Sequence, residues 1–226
     1  MIAEIRKKTI AIDVDLTVVD TLTPWLNWIE QTQGEKFPLQ DFAGHRAYSN
    51  KYVPPWIEHY GNMPGFMKQG MLPLEVDEIT FMAYWSQPTL YQNLKPLDGV
   101  VEQIKRLSGK YNIVFVSHCI APHRESKKKF LEYHFKDVPF QFLDVAGKQK
   151  HMVRYDWLID DTVSVISDAA KANPRSEHIL FAGVFESIVL APYDIVAKDV
   201  LRKFLPEGVK VSSDWVSITN HILEQA

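Results

Sequence analysis

The chain has 226 residues, is 46% hydrophobic and 23% charged, and carries a formal net charge of −3. This is ordinary globular composition, with length enough for one core domain and an insertion. It excludes a protein that holds polymeric nucleic acid by bulk positive charge, and no apolar stretch approaches the roughly 18 residues of a membrane span.

The N-terminal MIAEIRKKTIAI lacks the apolar core and cleavage site of a secretory leader, so none is expected. Its end, Thr9–Ile12, is short, continuous and β-branched, and reads as a strand buried on both faces. Thr23-Pro24 reads as an N-cap and first-turn proline opening a helix through Trp25, Trp28 and Ile29. A second helical pattern covers 74–85, and Pro54, Pro55, Pro64, Pro73 and Pro88 punctuate the region. Residues 97–107 carry apolar positions at helical spacing, with Asp98 as the expected N-cap. Strand-like runs follow at 112–116, 140–145, 157–159 and 178–181, with helical patterns at 122–135 and 163–172.

Strands alternating with helices imply βαβ units: an α/β fold with a doubly wound, mostly parallel sheet. The interval between the first two strands is about 100 residues, where such a unit needs about 30. Residues 21–95 therefore read as an inserted helical subdomain, and 1–20 with 96–226 as the core; the alternative is one larger domain with a long excursion.

In such a sheet, ligands bind beyond the carboxyl ends of the strands. Asp13 and Asp15 end the first strand, Ser117 the second, and Asp160-Asp161 the strand WLI, while Lys148 and Lys150 lie just before WLI. So many acids at one edge need a counter-charge, or one of them stays protonated. Mg²⁺ suits such oxygen ligands and bridges them to a substrate phosphate. A strand-end hydroxyl, backbone N–H groups at a helix start and a lysine suit the same anion. Together they describe a phosphate site.

The ordered set DVDLT, VFVS, a lysine and LIDDT resembles the four motifs of the haloacid dehalogenase (HAD) superfamily, and the helical insertion resembles that family's cap. The spacing of Lys150, Asp156 and Asp160, and the ending VSSDWVSITNHIL with its strand, Asp-Trp and last helix, are similar to the 5'(3')-deoxyribonucleotidase group. Two departures stand out: Leu16 where that group has glycine, and Val116-Ser117-His118 where it has Thr-Ser-Pro.

The resemblance implies an Asp13 nucleophile, with Asp15 as acid for the leaving alcohol and then base for water. It implies Mg²⁺ on Asp13, the Asp15 backbone carbonyl, and Asp160 or Asp161, and a phosphate held by Ser117, His118 and Lys150, with Lys148 the alternative lysine. A cap over such a site contacts the leaving group, and a flat aromatic lid suits a nucleobase. Trp25, Phe42, Tyr48 and Phe66, with His45 and Arg46, are the candidates; core packing is the alternative for the aromatics. The expected partner is a small phosphomonoester, a nucleotide, with a sugar phosphate or phosphoglycolate as the second choice. A non-catalytic binding protein would lack one of the acids, and none is missing. A homodimer is compatible with the sequence.

Three features read as structural. Cys119 cannot pair internally, reads as a buried spectator and points to a reducing, cytoplasmic setting. With His118 and His123 it matches no zinc spacing. Lys127-Lys128-Lys129 reads as the solvated face of a helix, paired through Glu125 and Lys129.

Overall fold

The computed structural model describes residues 7–33, 83–187 and 196–225. Its strands are β1 (Thr9–Ile12), β2 (Asn112–Ser117), β3 (Phe140–Asp144), β4 (Trp157–Asp160), β5 (Glu177–Phe181) and β6 (Lys210–Ser212). They form one sheet in the order β3-β2-β1-β4-β5-β6, with every pairing parallel. The apolar run of β1 follows from its place: a central strand has neighbours on both edges and helices on both faces.

Register decides where the chemistry falls. Ile12 stands opposite Phe115 of β2 and Ile159 of β4, so the carboxyl ends of the three central strands form one rim. The chain runs outward through β2 and β3, then returns to β4 on the other flank of β1. That reversal is the topological switch point at which ligand crevices form in open α/β sheets.

Among the described residues the helices of five or more residues are α1 (Leu22–Gln33), α2 (Val100–Ser108), α3 (Arg124–His134), α4 (Val163–Ala172), the short α5 (Ala197–Leu201) and α6 (Trp215–Glu224). Each longer one buries a stripe at helical spacing. In α6 the stripe is Trp215, Ile218, Thr219 and Ile222; in α4 it is Val163, Ile166 and Ala169.

Two expected caps moved. Gly99, not Asp98, precedes α2, at φ 71°, a left-handed conformation that glycine adopts without steric penalty. Helix α1 begins one residue before Thr23, and Asp20 caps it: its Oδ1 accepts from the Leu22 and Thr23 N–H groups at 2.9 and 3.0 Å. The pattern at 122–135 resolves into a 3₁₀ turn, Ala121–His123, leading into α3. Of the helix expected over 74–85, residues 83–85 are described and are helical; most of the 21–95 insertion lies outside the described residues.

Candidate active site

The site grows from the turn after β1. The Asp13 N–H donates to the Ile159 carbonyl at 2.9 Å, carrying the β1–β4 ladder one residue past the strand. The chain then folds back: Leu16 N–H donates to the Val19 carbonyl at 2.8 Å, and Val18 and Val19 N–H both donate to the Val14 carbonyl. Leu16, at the bend, has φ 56°. A non-glycine residue there costs about 1–2 kcal/mol. Its side chain is only 3% exposed, and burying a leucine returns about 1.5–3 kcal/mol. The packing thus outweighs the backbone cost, which accounts for leucine at a position suited to glycine. Trp215 Nε1 donates to the Thr17 carbonyl at 2.9 Å and holds the turn from the α6 side.

On the β4 flank, one oxygen from each of Asp13, Asp160 and Asp161 lies within 4.8 Å of the others, and all three residues are buried. Lys150, from the 3₁₀ turn Gly147–Met152, reaches between them, its Nζ 2.7 Å from Asp13 Oδ1 and 2.6 Å from Asp160 Oδ2. Burial, opposed by Lys150 but aided by Asp160 and Asp15, pushes the Asp13 carboxyl up to about 6. Burial, with Asp160 and Asp13 nearby, pushes Asp161 well above the usual carboxylate range. Burial alone would lower Lys150; Asp13 and Asp160 hold it above its ordinary value instead. Asp160 Oδ1 also accepts from the Thr162 N–H at 2.8 Å, while Asp161 Oδ2 is buried without a hydrogen-bond partner. Three buried carboxylates stand beside one ammonium, which pairs with Asp13 and Asp160, and among the described residues Asp161 Oδ2 has no partner. A hard divalent cation fits this all-oxygen donor set, because it supplies the missing positive charge and a partner for that atom.

On the β2 flank the balance differs. The Asp15 carboxylate turns toward Lys127 of α3, whose Nζ lies 2.6 Å from Asp15 Oδ2 and donates to Ser117 Oγ and to the His118 carbonyl, each at 2.9 Å. Ser117 Oγ donates to Asp15 Oδ2 at 3.2 Å, and the Tyr91 hydroxyl donates to Asp15 Oδ1. Burial works to raise Asp15, but the Lys127 charge and the Lys127 and Tyr91 hydrogen bonds hold it below the usual carboxylate range. The reading of Lys127 as a solvated lysine is therefore corrected: it is 0% exposed, while Lys128 and Lys129 face solvent and pair with Glu132 and Glu125. Sequence reasoning missed Lys127 and Tyr91. The available signal was helical phase, since Lys127 precedes the buried Phe130 and Leu131 by three and four residues.

Of the two candidate lysines, Lys150 is buried at the cluster and Lys148 is exposed. His118 is exposed, and its carbonyl is what joins the network. His123 is buried: Nε2 accepts from the Ile120 N–H at 3.2 Å, and Nδ1 lies 2.6 Å from the Trp85 carbonyl. Cys119 is buried, and burial pushes its thiol up to about 11. Asp156 Oδ2 accepts from the Thr9 N–H at 2.8 Å, an anchor for β1. Trp25 is fully buried in the hydrophobic core, and Trp28 is partly buried, its ring 5.5 Å from that of Tyr84. Phe42, His45, Arg46, Tyr48 and Phe66 lie outside the described residues.

A family model described as 5' nucleotidase, deoxy (pyrimidine), cytosolic type C protein matches residues 68–184. The mitochondrial 5'(3')-deoxyribonucleotidase of Mus musculus is 28% identical over 137 residues, which are 56% of this chain and 54% of that protein; the chain thus spans about half that relative's length. Among solved structures, a haloacid dehalogenase-like family hydrolase of Streptococcus pneumoniae superposes with a TM-score of 0.55 at 12% identity, over 95% of this chain and 98% of that one. The L-2-haloacid dehalogenase of Xanthobacter autotrophicus gives 0.54 at 12% identity, over 98% of this chain and all of the other. At that identity the likeness shows the fold, which is HAD-like. No helix among the described residues is long and apolar enough to cross a membrane.

Proposed function

The chain belongs to the 5' nucleotidase, deoxy (pyrimidine), cytosolic type C family, and from that premise we propose that it is a Mg²⁺-dependent phosphomonoesterase that hydrolyses deoxyribonucleoside monophosphates to nucleoside and phosphate. The observation that carries this reading is the rim where Asp13, Asp160 and Asp161 cluster, with Lys150 on the first two, at the switch point of the sheet.

In this reading an Asp13 carboxylate oxygen attacks phosphorus and the ester oxygen leaves, forming an aspartyl-phosphate and so splitting one difficult hydrolysis into two displacements. Asp15 gives a proton to the departing alcohol and takes one from the water that attacks next, which releases phosphate and restores Asp13. Ser117 and Lys150 hold the phosphoryl oxygens. Asp13, the Asp15 backbone carbonyl, and Asp160 or Asp161 would hold the Mg²⁺. When bound, that ion neutralises the charge gathering on the phosphoryl group. Residues 21–95 would form the cap, excluding bulk water and contacting the leaving group. The homologous deoxyribonucleotidase supports a nucleotide over a sugar phosphate or phosphoglycolate.

The test is a turnover screen over nucleoside and sugar monophosphates with Mg²⁺, repeated in EDTA and with Asp13→Asn. Deoxyribonucleotides should lead the screen. Asp13→Asn should cost about 10⁴-fold or more in kcat with the fold intact, since it removes the nucleophile and almost no volume. Turnover that survives EDTA would refute the metal, and an active Asp13→Asn would refute the nucleophile.

A further inference from the structure

The contacts of Asp15 decide more than its location. A carboxylate offers about four lone-pair sites, two on each oxygen. Oδ2 accepts from Lys127 Nζ at 2.6 Å and from Ser117 Oγ at 3.2 Å, so both its sites are taken. Oδ1 accepts from the Tyr91 hydroxyl, which among the described residues leaves one site open. Lys127 is itself fixed: it is fully buried, donates to Ser117 Oγ and the His118 carbonyl, and its Nζ lies 5.0 Å from the centroid of the Tyr91 ring. The Tyr91 ring rests 5.5 Å from that of His123, which is held in turn by Ile120 and Trp85. Neither flexible side chain retains its usual rotamer freedom.

We infer that Lys127 and Tyr91 are a positioning pair for Asp15, fixing where its carboxylate exchanges a proton with the leaving alcohol. The inference rests on the functional reading above. Lys150 occupies the opposite flank and cannot substitute, because its Nζ is committed to Asp13 and Asp160. A lysine that merely filled space would be a poor choice for a fully buried helical position. Burying its charge is costly unless the charge meets a partner in good geometry.

The test uses leaving groups of different quality. p-Nitrophenolate departs readily as the anion, whereas an alkyl alkoxide needs a proton as its bond to phosphorus breaks. Substrates are therefore p-nitrophenyl phosphate and the alkyl monophosphate that the wild type turns over best. Lys127→Met should lower kcat on the alkyl ester by about 10²-fold while staying within about threefold on p-nitrophenyl phosphate, since misplacing a general acid removes that order of rate only where the acid is needed. KM should be unchanged for both. Tyr91→Phe removes one hydroxyl and should show the same selectivity at about tenfold. Equal losses on both esters, or no loss on the alkyl ester, overturn the inference. If Lys127→Met does not fold, Tyr91→Phe decides by the same ratio. A wild type inert on both esters overturns the functional reading, and this inference with it; an active wild type whose variants lose both activities equally overturns the inference alone.

Discussion

The two flanks of β1 hold similar groups in different proportion. Toward β4, three buried carboxylates cluster and one lysine pairs with two of them, while among the described residues Asp161 Oδ2 has no hydrogen-bond partner. Toward β2, one carboxylate meets one lysine, a serine and a tyrosine, and its bonds are nearly complete. The lesson concerns charge balance. An over-acidic corner suits a cation, whereas a balanced one suits a side chain held in place. Both sit on the same rim because Asp13 continues the β1–β4 ladder while the turn after it swings Asp15 toward β2.

The sharpest way to break this contrast is to remove each lysine in turn. Lys150→Met strands three buried acids and should cost about 3–5 kcal/mol of stability, as expected when one member of a buried ion pair is deleted. Lys127→Met leaves a carboxylate that is 26% exposed and still holds Tyr91 and Ser117, so about 1–2 kcal/mol is expected. Urea denaturation of both variants in EDTA measures the difference; equal costs would erase the distinction between the flanks.

A smaller effect carries an unusual sign. In EDTA, Asp161→Asn should be more stable than the wild type by about 1–3 kcal/mol, because it removes a buried carboxyl whose ionisation is opposed by burial and by two neighbouring acids. Adding Mg²⁺ should reverse that order. A cation at 100 times its Kd adds about 2.7 kcal/mol to a protein that binds it, and each kcal/mol moves the Tm by about 2–4 °C at this size. Thermal melts with and without Mg²⁺ settle it. A wild type that melts at the same temperature in both buffers would remove the cation from the β4 flank.

The bend between the flanks offers a further contrast. Leu16→Gly relieves about 1–2 kcal/mol of left-handed strain but deletes a buried leucine side chain worth about 2–5 kcal/mol, so a net loss of about 1–3 kcal/mol is expected. A stabilised Leu16→Gly, read from the same denaturation curves, would show that the strain had been the larger of the two.

Legibility in the sequence followed the same physics. Strands buried on both faces announce themselves as continuous apolar runs, which is why β1, β2, β4 and β5 could be read to within a residue or two. β6, only Lys210–Ser212, is too short for any periodicity and was visible only in the resemblance of the chain's ending. Caps were harder. Asp98 and Thr23 are reasonable choices by residue type, yet the backbone reversal selected Gly99, and side-chain reach selected Asp20. At the site, acids and a serine placed at strand ends could be found from local context. Lys127 was harder: helical phase with Phe130 and Leu131 places it on the inward face, but the partner that makes its burial tolerable, Asp15, lies 112 residues away.

The bond from Trp215 Nε1 to the Thr17 carbonyl spans 198 positions of sequence. Ribosomal synthesis delivers Thr17 early and Trp215 only after the whole sheet has been made. A nascent chain could therefore lay down β1 to β5 and still lack one of the bonds that hold the turn carrying Asp13 and Asp15. Docking of α6 then adds that bond to the ones the turn makes within itself.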